Sequence, residues 1–127
     1  GRAASMRSRR FRRDVPEIPR SRRFVAEVLR DAGTDPNDDV LLVTSELITN
    51  AVCHGEGEVE LRVKVDGGFV RIEVLDDGHV EVRVPDTEPS PTSLGGRGLL
   101  LVRGVSRRFG TELDRDGRTL VWAEVPV

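Results

Sequence analysis

Residues 45–54 read Ser45-Glu46-Leu47-Ile48-Thr49-Asn50-Ala51-Val52-Cys53-His54. Wound as an α-helix at 100° per residue, Val43, Leu47 and Ala51 define an apolar side. Glu46, Asn50 and His54, at i, i+4 and i+8, form a separate stripe. That stripe runs between Leu42 and Cys53 on one flank and Val43 and Leu47 on the other, while the ordinary polar side falls at Ser45 and Thr49. A carboxylate and an amide on an apolar flank are costly to bury without partners. Two readings stand level: a satisfied buried Glu with a capping Asn, or a carboxylate and an amide facing a ligand or metal. His54 needs no ligand, because a histidine in the last turn suits the helix dipole.

Around this stretch the helix has clear ends. Asp35 is the expected cap, Pro36 suits the first position, Asp38 sits in the first turn, and Gly55 is the stop. Upstream, Ser21–Asp31 predicts a helix with Phe24, Val25, Val28 and Leu29 on one face, closed by Gly33. Pro16 and Pro19 are expected to break the chain before it, and 8–15 reads as a first strand of poor pattern. Downstream, 58–65 and 69–75 alternate as two strands joined by Asp66-Gly67-Gly68. Val80, Val82 and Val84 continue the alternation, and 85–98 is rich in Pro, Ser, Thr and Gly and reads as a mobile loop. A third helix is expected over Leu99–Phe109 with Gly110 as its stop, then a hairpin of 111–113 and 118–125 around Asp116-Gly117. Grouped helices and hairpins predict an α+β two-layer sandwich, three helices on one face of a mixed, mostly antiparallel sheet.

The chain has 127 residues, 37% of them hydrophobic, which suits one compact domain with a core. Four Phe, one Trp and no Tyr leave that core to Leu, Val and Ile. Gly1–Ser5 ahead of Met6 read as a cloning remnant, so 1–6 are set aside and 7–127 are expected to form a single domain. No apolar run approaches the ~20 residues that span a bilayer, and Cys53 is the lone cysteine, so a cytoplasmic protein without membrane contact is expected. The net charge of −2 hides an asymmetry. Nine of the 20 basic residues lie in 1–24 beside only Asp14 and Glu17, which leaves 11 basic and 20 acidic residues in 25–127. Such an arm touches nucleic acid or an acidic protein, or simply blunts a sheet edge.

Two further stretches carry chemistry. Asp76-Asp77-Gly78 ends a buried strand, where a carboxylate can read a ligand and Gly78 admits a flat one closely; the plain alternative is an Asp-Gly turn. Gly95-Gly96-Arg97-Gly98 runs into a helix start, where free N–H groups and the dipole attract anions; the plain alternative is a flexible connector. No Gly-Lys-Ser/Thr follows, so this is not a Walker A loop.

In order, Glu46-x-x-x-Asn50, Asp76-x-Gly78 and Gly96-x-Gly98-Leu99 resemble the three nucleotide-binding boxes of the GHKL (histidine-kinase-like) ATPase superfamily. The stretches Ser45–His54, Gly95–Val102 and Gly117–Trp122 look most like its anti-sigma-factor serine/threonine kinase branch. The resemblance implies a Bergerat-type ATP-binding fold with ATP and Mg²⁺ as cofactors. It implies Glu46 as the catalytic base, Asn50 as the Mg²⁺ ligand and Asp76 as the acceptor for the adenine amine. Gly78 would lie near the base, Gly96, Arg97, Gly98 and Leu99 at the phosphates, and Thr119 behind the adenine. It further implies phosphorylation of an anti-anti-sigma partner, sequestration of a sigma factor, and a homodimer. The segment His79–Val84 departs from the Pro- or Arg-rich segment of many relatives and puts lid geometry and partner contacts in doubt. The alternative function is an ATP-binding regulatory module that transfers no phosphate. A nucleic-acid-binding role for the arginine arm is the weakest reading, because the body is acidic and no aromatic platform accompanies the arginines.

Overall fold

The computed structural model describes residues 5–78 and 94–127, with side chains described for 6–78 and 100–127. Strand β1 (Ser5–Phe11) leads into helices α1 (Glu17–Asp31) and α2 (Asp38–His54), strands β2 (Val59–Val65) and β3 (Phe69–Asp76), helix α3 (Leu94–Val105), and strands β4 (Arg108–Leu113) and β5 (Thr119–Pro126). The strands form one sheet in the order β1-β2-β3-β5-β4. Every pairing is antiparallel. The three helices cover one face, which is the two-layer sandwich expected from the sequence, and its sheet has no parallel pair among the described residues. Ser5 and Met6 belong to β1, opposite Val65 and Lys64, so this strand starts ahead of the expected span.

α1 begins earlier than the prolines suggested. Glu17 and Ile18 donate to Asp14 and Val15 carbonyls, and Pro19 falls within the first turn, where its missing N–H costs nothing. The helix closes as expected on Gly33, which has φ +75; the Gly33 N–H donates to the Arg30 carbonyl and Thr34 N–H to Leu29. The α2 cap differs from the sequence reading: Asn37, not Asp35, accepts from the Val40 N–H, at 2.9 Å. Asn37 is extended (φ −81, ψ 163), the geometry a cap needs, and this shifts the first helical residue to Asp38.

α3 shows the largest change. It spans Leu94–Val105, so Gly95, Gly96, Arg97 and Gly98 form its first turns instead of a loop before it. The helix expected to run to Phe109 and stop at Gly110 ends at Val105, and both residues are instead part of β4, where Phe109 pairs with Ala123 and Gly110 with Trp122. Sheet pairing there overrides helix periodicity, since a Cβ on Gly110 would come 3.0 Å from the Trp122 ring. Val80, Val82, Val84 and the span 85–93 lie outside the described residues.

The alternating residues of β2, β3 and β5 fill the core: Val59, Leu61, Val63, Val70, Ile72, Val74 and Ala123 are buried against Val25, Leu29, Val43 and Leu47 of the helices. Phe11 and Phe24 meet edge to face with centroids 6.2 Å apart. The open sheet face is covered by charge instead of a second layer. Arg118, Glu60, Arg62, Glu73, Arg71 and Glu124 form a chain of ion pairs across β2, β3 and β5. Burial alone would push the Glu124 carboxyl up, but hydrogen bonds from Arg71 and Arg107 outweigh it and hold it below the usual carboxylate range.

The capping geometry gives a direct check. Asn37→Ala is expected to cost ~1 kcal/mol in a denaturant titration, while Asp35→Ala stays within ~0.5 kcal/mol. Equal losses would return the cap to Asp35.

Candidate functional site

α2 carries the site's first two residues. Asn50 is 1% exposed, and its Nδ2 has no hydrogen-bond partner among the described residues. Native interiors rarely leave a buried amide nitrogen without an acceptor, because the unmet donor is costly. Glu46, one turn earlier, is half-buried, and that burial pushes its carboxyl above the usual 4.5. Ser45 is half-buried too and accepts from Arg22 of α1, at 3.0 Å, so the side expected to face water packs partly against a neighbour. His54 lies half-buried in the last turn.

The end of α2 meets the end of β3. Asp76 is 1% exposed. Its Oδ1 accepts from the Gly78 N–H at 2.6 Å and from the Glu56 N–H at 3.3 Å. The Asp77 N–H returns to the Glu56 carbonyl at 3.0 Å. Gly55 makes this possible. Its backbone is ordinary (φ −86, ψ −176), so no torsional demand selects glycine. The demand is steric: a Cβ there would lie 2.4 Å from the Ala51 carbonyl oxygen, 2.8 Å from Asp76 Cγ and 2.9 Å from Asp76 Oδ2. Two residues on, Gly57 has φ +69, a torsion that does favour glycine, and lies against the exposed Asp77 side chain. Arg13 closes the loop from the other side, donating to the Gly57 and Val52 carbonyls at 3.0 and 3.2 Å.

β5 completes the arrangement. Thr119 is fully buried, pairs with Asp76 in register, and its hydroxyl donates to the Gly78 carbonyl. Asp76, Gly78 and Thr119 are thus one knot, tied through Gly55 to the last turn of α2, with Asn50 and Glu46 next along that helix. Gly96, Arg97, Gly98 and Leu99 stand in the first turns of α3, which packs against α2. The N–H groups of Leu94, Gly95, Gly96 and Arg97 have no acceptor within their own helix; the side chains of Arg97 and Leu99 lie outside the described residues. Sequence reasoning took Gly55 only as a helix stop and missed Glu56 and Arg13, whose contacts connect residues 20 and 44 positions apart.

Among the described residues no three His, Cys, Asp or Glu side chains gather as a metal site. The unpartnered Asn50 atom is the Nδ2 donor; a Mg²⁺ carried in on phosphate oxygens would need the Oδ1 of the same amide.

A two-layer sandwich with a buried Asp-x-Gly knot beside a Glu-x-x-x-Asn helix defines a nucleotide-binding class, and sequence comparison agrees. Residues 11–124 match the histidine kinase-like ATPase domain family, and the chain belongs to it. It is 37% identical over 70 residues to the anti-sigma F factor of Geobacillus stearothermophilus, a match covering 51% of this chain and 44% of that protein. It also resembles the histidine kinase domain of a blue-light activated histidine kinase from Erythrobacter litoralis, at 26% identity and a TM-score of 0.47, over 69% of this chain and 43% of that one. The chain thus spans under half the length of either relative. ATP binding follows as the domain's coarse function. No helix among the described residues is long and apolar enough to cross a membrane.

Two measurements probe this geometry. Gly55→Ala is expected to cost ~1–3 kcal/mol of stability through overpacking, whereas Gly67→Ala, with nothing within 4 Å of the added methyl, stays close to wild type. Similar melting curves for the two variants would show that Gly55 has room. Glu46 predicts a pH effect. Its folded carboxyl holds its proton to higher pH than the usual 4.5 of the unfolded chain, so below 4.5 ionisation costs nothing. As pH rises through 4.5 to the raised folded value, wild type loses stability relative to Glu46→Gln, and the difference then levels off. A difference that stays flat across this range contradicts the burial of Glu46.

Proposed function

We propose that the chain is an anti-sigma-factor-like serine/threonine protein kinase domain that binds ATP with Mg²⁺, phosphorylates an anti-anti-sigma-type protein and sequesters a sigma factor. The observation that supports the nucleotide part is the buried, unpartnered amide nitrogen of Asn50, on the helix that Gly55 joins to the Asp76–Gly78–Thr119 knot. The similarity to an anti-sigma F factor supports the partner classes. In this reading residues 7–127 act as one domain, and a homodimer is the assembly.

Each residue then has a physical task. Asp76, held rigid by two backbone N–H groups, accepts from the exocyclic amine of adenine. Gly78 lets the base approach, and Thr119 fixes the Gly78 carbonyl behind it. Asn50 offers its amide oxygen to Mg²⁺, while Gly96, Arg97, Gly98 and Leu99 present the α3 N-terminus to the phosphates. Mg²⁺, when bound, supplies neutralisation of phosphoryl charge. Glu46 takes the proton of the attacking Ser or Thr hydroxyl. Its half-buried position raises its basicity, which moves it toward the range where a general base works at neutral pH.

Calorimetric titration of ATP with and without Mg²⁺, paired with phosphotransfer to candidate partners, tests the reading. Asn50→Ala is expected to abolish the Mg²⁺ dependence. Glu46→Gln is expected to keep nucleotide affinity and slow transfer by ~10²–10⁴-fold. Magnesium-dependent binding without transfer by wild type to any partner would leave a sequestering module, and the absence of nucleotide binding would overturn the assignment.

A further inference from the structure

Behind the Asp76–Thr119 pair, on the open face of the sheet, stands Arg118. Thr119, Val121 and Ala123 alternate toward the helices and are buried, so Arg118, one position earlier, projects to the opposite face. Its Nη1 donates to Glu60 Oε1 on β2 at 2.8 Å, and its Nη2 and Nε donate to Asp114 Oδ2 at 3.0 and 3.3 Å. β2 and β5 are not neighbours: β3 lies between them, and Glu60 and Leu120 both pair with Leu75. The Arg118 side chain therefore crosses behind the end of β3 to join the strands on either side. Asp77, the residue after Asp76, lines the same cleft as Arg118 and Glu60.

The β4–β5 turn secures the arginine in return. The Asp114 N–H donates to the Arg118 carbonyl at 2.8 Å, and the Gly117 N–H donates to the Asp114 carbonyl at 2.9 Å. Asp114 thus holds Arg118 by backbone and by side chain. The three side chains are largely sheltered, at 20% exposure for Arg118, 15% for Glu60 and 17% for Asp114. Shelter pushes the Glu60 carboxyl up, yet the hydrogen bonds from Arg118 and Arg62 prevail and bring it below its usual range.

This grip falls where the sheet needs it. β3 ends at Asp76 and β5 begins at Thr119, so their pair is the last rung between the two strands. Last rungs open most readily unless they are tied. Both bonds that define the knot, Gly78 N–H to Asp76 and Thr119 hydroxyl to the Gly78 carbonyl, require that rung to stay closed. Arg71 supplies an internal comparison. It meets two carboxylates, Glu73 and Glu124, at 18% exposure, but it lies five positions before Asp76 on β3, about 17 Å along the strand.

We propose that Arg118 is a positioning residue of the nucleotide site: by gripping Glu60 and Asp114 behind the sheet, it holds the Asp76–Thr119 rung closed and so aims the carboxylate that reads adenine. The inference rests on the nucleotide reading of Asp76 and adds a residue that touches no nucleotide. Recognition by hydrogen bonds tolerates only about 0.5 Å of misplacement, so a loosened rung weakens it without removing any contacting group.

The variants Arg118→Met, Arg118→Lys and Arg71→Met of the whole chain test this. Both Met variants keep an apolar stem and lose two ion pairs, and they are expected to lower the melting temperature by similar amounts. By NMR hydrogen exchange on the nucleotide-free protein, the Gly78 and Glu56 amides are expected to lose protection in Arg118→Met and to keep it in Arg71→Met. In calorimetric titrations Arg118→Met is expected to lose ~10-fold in ATP affinity, the scale on which residues without ligand contact act. GTP, whose base presents a carbonyl where adenine has its amine, is expected to lose less, so the preference for ATP shrinks. Arg71→Met is expected to keep both affinities. Arg118→Lys keeps the charge without the fork, so intermediate changes are expected, and it gives the same readings where the Met variant is too unstable. Equal changes in the Arg118 and Arg71 variants, or wild-type protection at Gly78 and Glu56 without Arg118, would overturn the proposal. A wild type that binds no ATP yet depends on Arg118 for that protection would support the grip on the rung and overturn the nucleotide reading, so the two failures are distinct.

Discussion

Between the last turn of α2 and the end of β3 there is no room for a methyl group. A Cβ on Gly55 would collide with the Ala51 carbonyl and with the carboxyl of Asp76 at once. Because the backbones come this close, the Glu56 N–H can reach Asp76 Oδ1, and Asp77 can return a bond to Glu56. A buried carboxylate is tolerable only with such donors. The contact therefore fixes where Asp76 stands and how it points. It also fixes the distance from the Asp76 knot to Asn50, which sits one turn before the same helix end.

The sheet order turns this contact into a site. β3 and β5 are neighbours although α3 and β4 separate them in sequence, and their register sets Thr119 opposite Asp76. Thr119 then holds the Gly78 carbonyl, so the strand end is braced from both sides. α2 packs over these central strands, which carries Glu46 and Asn50 to the same end of the molecule. Rigid elements, not loops, therefore position every described side chain of the candidate site, the condition under which polar groups hold a geometry ready for a ligand.

The two faces of the sheet solve different problems. On the helix side the aliphatic residues of β2, β3 and β5 bury against α1 and α2. On the open side a chain of arginines and carboxylates shields the sheet by mutual pairing, with Arg71 stacked 4.1 Å from the Trp122 ring centroid. At the β1–α1 corner the pairing is incomplete: Arg7, Arg10 and Arg20 have carboxylate partners, while Arg9, Arg12 and Arg23 have none among the described residues. The basic arm noted in the sequence is thus divided. Arg13 belongs to the scaffold of the site, where it fastens the Gly57 and Val52 carbonyls, and Arg9 lies over the Phe11 and Phe24 rings.

Local pattern made much of this legible. The alternation in β2 and β3, the Asp66-Gly67-Gly68 turn, the helical stripe of α2 and its end at Gly55 all follow from nearest-neighbour periodicity and turn chemistry, which the chain carries in any context. The odd placement of Glu46 and Asn50 was visible for the same reason. Context decided the rest. Asn37 and not Asp35 caps α2, because either side chain could serve and only the path from Gly33 selects one. Gly95–Gly98 became helix as the start of α3, which packs against α2, and Phe109 and Gly110 became strand because pairing with β5 outweighs weak local preference. That Gly55 is required by the carboxyl of Asp76, 21 residues further along, could not be read from either residue. Periodicity is a property of neighbours in sequence, whereas a steric limit between two backbones exists only once the chain has brought them together.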